Sequence, residues 1–584
     1  MKKSGKWKVQ FLVMAFCVLG LVAVLVGSSY AIFSDVSDQG DYNTVTAGTL
    51  QLSYEDTQSL SLSNLYPVSD VEGMTGEGYT FTVRNIGTLP SDYKVMIQDD
   101  EAMIQADGCS DHLMPKANIK ISIDGGTPFL LSSIEESNYM ITTGNLQPGE
   151  SVTHVVKVWI DEASGNEILG THFHGKVVVE GVQGEFVYQD ESGANAPELV
   201  EGMIPVTYNG TNWVKADTSS EWYNYDNQEW ANAVTVTETN RATYMSAPVG
   251  TVIPMEDINT MWVWIPRYSY TIGNTYGVQG YGGSTPSQST PGAIDIKFVN
   301  KETKETGTAQ YTGSEASNWR TPDGFTFGEE ELSGFWYAKF ETGGTLTNAC
   351  VNELCNISNV LIKPNVFILE QQTISSFFYM ARSMQMNGNN PYGFTNTTGD
   401  AHMSKNSEWV AVAYLSQSKY GKYGNSNYTG ANKEIYQNKS SEYMTGMSNG
   451  TPGTATTNIQ VSYDIPDTGY GASTTGTIYG IYDMSGGTYE YVMGNYNKIL
   501  GLSGFLTLPN EKYFDFYNSA DASKACNNNV CYSHALSETT NWYEDSSYFI
   551  YSAVYWVARG GITTYEKSSG IFASSSNDGG AKVG

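Results

Sequence analysis

Thiols come first among the residues able to do chemistry. Cys350 and Cys355 bracket CVNELC, Cys526 and Cys531 bracket CNNNVC, and Cys109 stands alone. In a chain headed by an export signal, two C-x4-C pairs read as small disulfide loops, with Cys109 free or intermolecular. The same four sulfurs would suffice for a zinc site if the two loops converged, but an oxidising compartment favours the disulfides. His172 and His174 sit two residues apart in a strand-like run, so they would share one strand face. No third ligand accompanies them and no HExxH exists, so they are expected as surface histidines; no metal, cofactor or catalytic residue is expected. A third set surrounds Arg559-Gly560-Gly561: Tyr551, Tyr555, Trp556, Tyr565 and Phe572. Tyr and Trp supply rigid contact area at binding faces, so these five are the expected ligand contacts. The rival reading is a buried aromatic cluster in a short-stranded core.

The ends and the composition say where such chemistry would operate. Lys2, Lys3, Lys6 and Lys8 precede an apolar run from Phe11 to Val26, and Ser29 and Ala31 have the spacing a signal peptidase needs. Residues 1–31, with Cys17, are expected to be a cleaved signal peptide, leaving Ile32 as the mature start. The run falls short of the ~20 residues of a bilayer span, and an uncleaved leader would be the sole tie to a membrane. The chain carries 31 basic and 61 acidic residues, a net charge of −30. Losing the leader removes four lysines and no acid. Such a charge repels phosphate backbones and anionic lipid, which excludes nucleic acid as an expected partner. The 41 Tyr and 60 Gly, with many Asn, Ser and Thr, suit strands that carry binding loops.

These residues need positioning elements, and the length of 584 residues suits roughly three or four domains of ~150 each. Alternation marks a first domain over residues 32–186: Tyr79, Phe81 and Val83 share one strand face, and Val155, Lys157 and Trp159 interleave with Val156, Val158 and Ile160. A polar stretch with Gly and Pro, YQDESGANAPE, puts a linker at 187–203. The second domain is expected over 204–584. Within it, 273–291 and 421–471 are poor in aliphatics and read as long loops. Helices are expected at 373–384 and at 404–416, around Glu408-Trp409.

Two resemblances sharpen this outline. Gly480 to Gly494, GIYDMSGGTYEYVMG, resembles the G-[LIV]-Y-D-M-x-G-N-V-W-E-W run of the formylglycine-generating enzyme family. Met261 to Tyr268 (MWVWIPRY), Gly334 to Glu341 (GFWYAKFE), Asn406 to Trp409 followed by VAVAYL, and Arg559-Gly560-Gly561 resemble further motifs of that family in the same order. The resemblance implies a variant of the C-type lectin fold, used by copper-dependent oxidases acting on a cysteine and by ligand-binding scaffolds, including receptors diversified by retroelements. The oxidases carry their C-x4-C pair after the R-G-G turn. No cysteine follows Arg559 here, so the soft sulfur ligands for Cu(I) are missing from their place. Gly487 stands where the family has Asn, which puts the family's calcium site in doubt, and Tyr489 and Tyr491 stand for Trp. The diversified receptors close with a short apolar strand that this chain lacks before Gly584, which leaves a truncated domain as one reading.

The first domain resembles the camelysin/TasA family. Ala31 to Asp35 (AIFSD), Thr46 to Leu52 (TAGTLQL), Asn64 to Val68 (NLYPV), Tyr79 to Gly87 (YTFTVRNIG), Leu146 to Ser151 (LQPGES) and His154 to Asp161 (HVVKVWID) carry the likeness. It implies a jelly-roll β-sandwich, secretion through a dedicated signal peptidase and a place on the surface or in the biofilm matrix of a Gram-positive bacterium. The expected fold class is therefore mainly β with some α, a jelly-roll sandwich followed by an α+β C-type-lectin-like domain. The expected function is that of an exported, non-enzymatic surface protein that binds an extracellular glycan or protein. The alternative is a structural matrix protein that self-assembles through its first domain, and a lesser one is an oxidase of the formylglycine-generating type.

Overall fold

Alternation of apolar and polar residues builds the first of two units, Met1–Val187; the second is Tyr188–Gly584. The computed structural model describes residues 34–581 except 38–51, 57–59, 63–65, 77, 88, 109, 111, 184–187, 273–290, 310–318, 387–389, 397, 453–459, 519–531, 537, 549, 551 and 565–567. The leader, Cys109, Cys526, Cys531, Tyr551, Tyr565 and the expected loop at 273–290 thus lie outside the described residues. The chain is mainly β with some α. None of its described helices is long and apolar enough to cross a membrane.

The first unit contains β1 (Ser34–Ser37), β2 (Leu52–Asp56), β3 (Leu60–Leu62), α1 (Asp70–Gly73), β4 (Tyr79–Asn85), β5 (Ser91–Asp99), α2 (Glu101–Asp107), β6 (Ile119–Ile123), β7 (Phe129–Leu130), β8 (Met140–Leu146), β9 (Ser151–Ile160) and β10 (Phe173–Gln183). One sheet runs β1-β10-β5-β8, with β3 also on β10; the other runs β2-β4-β9-β6-β7. Both are antiparallel, and their inner faces share one core. Tyr79, Phe81 and Val83 of β4 and Val156 of β9 pack with Tyr93, Val95 and Ile97 of β5 and Val177 and Val179 of β10. This is a two-sheet sandwich, the arrangement that buries the apolar face of each sheet. His154 lies in that core, its ring between the Tyr93 hydroxyl at 2.9 Å and the Asp124 carboxylate at 2.7 Å. His172 and His174 do share a face, with rings stacked 6.1 Å apart. His174 is buried, however, not a surface residue; its backbone pairs with Ser61 of β3.

The second unit contains β11 (Ile204–Tyr208), β12 (Trp213–Lys215), β13 (Asn232–Val236), α3 (Glu238–Ser246), β14 (Ile258–Pro266), β15 (Tyr268–Thr271), β16 (Asp295–Phe298), β17 (Thr326–Phe327), β18 (Glu330–Glu331), β19 (Gly334–Ala338), β20 (Gly343–Gly344), β21 (Val360–Leu361), α4 (Ile374–Ser383), α5 (Asn406–Ser416), β22 (Met447–Ser448), β23 (Val461–Ser462), β24 (Glu490–Tyr496), β25 (Asp515–Tyr517), β26 (Trp556–Arg559) and β27 (Ser574–Asn577). Two larger sheets dominate, β12-β11-β13-β14-β19 and β25-β24-β26-β27. Helix α5 is buried on every residue, and its apolar residues run round its whole circumference, so it is a central helix rather than a surface one. Its first turn is held by carboxylates: Glu408 accepts the Lys405 backbone N–H at 2.8 Å, and Asp515 accepts the Ser407 N–H at 2.7 Å. Trp409 donates to the Ile571 carbonyl at 3.0 Å and so ties α5 to the C-terminal segment.

Two expectations about loops need correction. Residues 188–203 are not a free linker. Ala194 is buried, Asp190 accepts the Tyr225 N–H at 2.6 Å, and the Asn195 amide donates to the carbonyls of Val299 and Ser333, both at 2.8 Å. The stretch 421–471 is irregular but packed. Lys422, Gln437, Asn438, Ser448 and Asn449 are all buried. Several of their polar groups meet backbone partners inside the fold, as where Asn438 donates to the Met444 carbonyl at 2.8 Å. A segment can do without aliphatic residues in a core when its side chains satisfy the backbone in this way.

Candidate functional site

Of the five expected ligand contacts, two are buried, Tyr555 is half-buried, and Tyr551 and Tyr565 lie outside the described residues. Trp556 and Phe572 are 0 % and 1 % exposed. Trp556 donates to the Leu500 carbonyl at 3.1 Å, and Phe572 packs on Trp542 at 5.4 Å. Both are core: Trp556 lies on β26, between β24 and β27, and Phe572 belongs to the cluster around α5. Tyr555 is half-buried, and its backbone joins the Asn577 and Tyr496 ladders. Arg559 is fully buried, donating to Asn406 Oδ1 at 2.7 Å and the His534 carbonyl at 2.6 Å. The R-G-G turn is thus a structural clamp.

A cleft of about 1090 Å³ lies elsewhere in the second unit. Its walls come from 198–203, β14, β18, β19, α4, the 394–404 segment, β24, and Lys512 with Tyr513. Strand pairing sets the rings. Trp262 and Trp264 on β14 face Ala338 and Trp336 on β19 across the ladder, and Trp264 and Trp336 meet at 5.4 Å. Tyr489 and Tyr491 flank Glu490 at the start of β24. Carboxylates outnumber fixed cations along the lining.

Three of the lining carboxylates, Glu353, Asp400 and Glu408, are paired with cations. Arg382, in the last turn of α4, reaches Asp400 at 2.5 Å and Glu353 at 3.2 Å. The Cys350–Cys355 disulfide forms and closes the loop that carries Glu353. That loop is pinned to α4 by Cys350 N–H to Ser376 Oγ at 2.9 Å and Cys355 N–H to Ser383 Oγ at 3.2 Å. His402 lies flat on Phe327 at 4.7 Å and donates to Glu408 and Asp400, both at 3.1 Å. Burial opposes a charge on its ring, but Glu408 and Asp400 outweigh burial and push its pKa up to about 9. Asp400 is likewise held down to about 2, with His402 and Arg382 overcoming the effect of burial.

Glu341 and Glu490 differ. Glu341 is buried, and its carboxylate takes the Thr488 hydroxyl. Gly487 explains itself here. A Cβ on it would come 2.6 Å from Glu341 Oε2, and its φ is +68°. Asp483 supports the turn, accepting the Gly446 N–H and the Asn438 amide at 2.9 Å each. Glu490 accepts no hydrogen bond, and neither Glu341 nor Glu490 meets a cation, among the described residues. Burial, then Glu490 and Asp483, push Glu341 well above the carboxylate range; burial, then Asp483, do the same to Glu490. Asp483 itself is pushed up to about 6 by burial. The buried Lys339 points away, its ammonium donating to the carbonyls of Ile478 and Gly480 at 2.7 Å.

The sequence reading missed this cleft although it singled out its strands. GFWYAKFE and TYEYV each set a glutamate among aromatics, and that combination was the available signal. Among the described residues no cluster of three His, Cys, Asp or Glu could hold a metal ion. No protein-family model matches the chain, and no curated protein matches it either.

Proposed function

We propose that this is an exported bacterial surface protein that binds an extracellular ligand without transforming it, and that the cleft of the second unit is the ligand site. The observation that carries the reading is the cleft itself. It has the volume and mixed lining of a small-molecule site, with aromatic walls and a few polar groups set among them. The leader, the acidic surface and the likeness to lectin-fold binding scaffolds support the same reading. A decisive experiment screens glycans, peptides and small amines against the full chain and against Ala338→Trp, which fills the cleft from β19. Binding by the wild type that the filled variant loses agrees with the proposal. Equal binding by a folded Ala338→Trp protein would sink it.

Self-assembly of the first unit has one specific support. Among the described residues β8 pairs with β5 alone, leaving its outer edge open to another strand. Fibre growth by the full chain under native conditions, slowed by a proline in β8, would favour the matrix role.

A further inference from the structure

The paired and unpaired carboxylates of the cleft serve as each other's control. The same cavity holds Asp400, Glu353 and Glu408, each matched to Arg382 or His402 at 2.5–3.2 Å, and Glu341 and Glu490, matched to none. The fold therefore supplies cations to three carboxylates of the cleft and leaves Glu341, buried and held only by Thr488, and Glu490, half-buried, without one. An uncompensated buried carboxylate is costly, and a site that keeps one meets its charge when the ligand arrives. Aromatic faces attract a cation with methyl or methylene substituents, since its charge is spread over an apolar surface. A metal ion would need converging oxygen ligands and gain nothing from the rings. A neutral sugar would gain from the rings and leave the charge unmet.

We propose that the cleft ligand is a small organic ammonium ion, with its nitrogen beside Glu490 and Glu341 and its carbon substituents against the aromatic lining next to them, Tyr337 and Tyr491 among it. This rests on the reading of the cleft as the ligand site. The raised affinity of Glu341 and Glu490 for protons adds a consequence: an entering cation replaces the proton that the empty pair retains.

The test uses the full chain and calorimetric titration. The probes are choline, its uncharged carbon isostere 3,3-dimethylbutan-1-ol, and a neutral N-acetylglucosamine oligomer. Choline is expected to bind saturably, and the isostere about tenfold more weakly or worse, since it forgoes the charge contact. Glu490→Gln should weaken choline by a similar factor, about tenfold, and leave the isostere unchanged. Thermal melting of each variant confirms folding. Equal affinity for choline and the isostere would overturn the inference, as would choline affinity unchanged in both Glu490→Gln and Glu341→Gln. If the oligosaccharide alone binds, and Ala338→Trp abolishes it, the ammonium inference fails while the cleft reading stands. If Ala338→Trp leaves choline binding intact, both fail.

Discussion

Replacing His402 by Gln should remove a pH-dependent part of the second unit's stability. The ring is 17 % exposed and its partners Asp400 and Glu408 are 26 % and 8 % exposed, so the network is largely shielded from water. The charged groups facing it are Glu408 and Lys405 at the start of α5, Arg382 of α4, and Asp400, Lys512 and Glu353 from the surrounding loops; Tyr513 donates its hydroxyl to Asp400 at 2.9 Å. A rise in pKa from 6.5 to about 9 corresponds to ~3 kcal/mol at 1.36 kcal/mol per pH unit. Partial exposure reduces this to about 2 kcal/mol. The folded pKa lies above the unfolded one, so the contribution is fully present below pH 6.5 and is lost as pH rises through about 9. The assay is urea unfolding followed by tryptophan fluorescence. Ten of the twelve tryptophans belong to the second unit, so the signal reports on it. His402→Gln should cost about 2 kcal/mol at pH 6 and almost nothing at pH 10. His534, whose pKa is also raised, is common to both proteins and cancels in the difference. A difference between wild type and variant that is constant from pH 6 to pH 10 would refute the reasoning.

Three further outcomes are expected. Choline affinity should fall as pH is lowered through the raised pKa of the Glu341–Glu490 pair, because the ionised form binds; the effect should be absent in the double Gln variant, and titrations at stepped pH check this. Phe572→Ala should destabilise the second unit by about 3–5 kcal/mol, the cost of emptying an aromatic site in a core, while ligand affinity per folded molecule stays constant; a large loss of affinity would return Phe572 to the binding face. Changing Cys350 and Cys355 together to Ser should cost less than the ~3 kcal/mol expected for a 15-residue loop, since the closed loop is far shorter, and should loosen Glu353 from Arg382. Denaturant melts with and without reductant measure that cost.

Regular elements were legible where a local pattern specified them. The helix expected at 373–384 is α4, capped by Thr373, whose hydroxyl accepts the Ser376 N–H at 3.3 Å. The helix expected at 404–416 is α5, with Glu408 holding its start. The packing of 421–471 was not legible, because its order comes from side-chain hydrogen bonds to distant backbone: the Lys422 ammonium reaches the Glu434 carbonyl at 2.5 Å, with its charge over the Tyr436 ring at 3.7 Å. No periodicity announces such contacts. Aromatics around Arg559 looked like a binding face for the same reason. Composition does not say which side of a short strand is covered, and β26 is covered on both. The cleft draws its charge pattern from residues as far apart as Glu341 and Glu490, whose relation depends on the turn at Gly487.

The most direct measurement of where this protein binds is fluorine NMR of the full chain labelled with 5-fluorotryptophan, with resonances assigned by single Trp→Phe variants. Titration with the ligand should shift Trp262, Trp264 and Trp336, the three tryptophans of the cleft, and leave Trp542 and Trp556 in place. Shifts confined to Trp542 and Trp556 would put the ligand near the R-G-G turn and contradict the account.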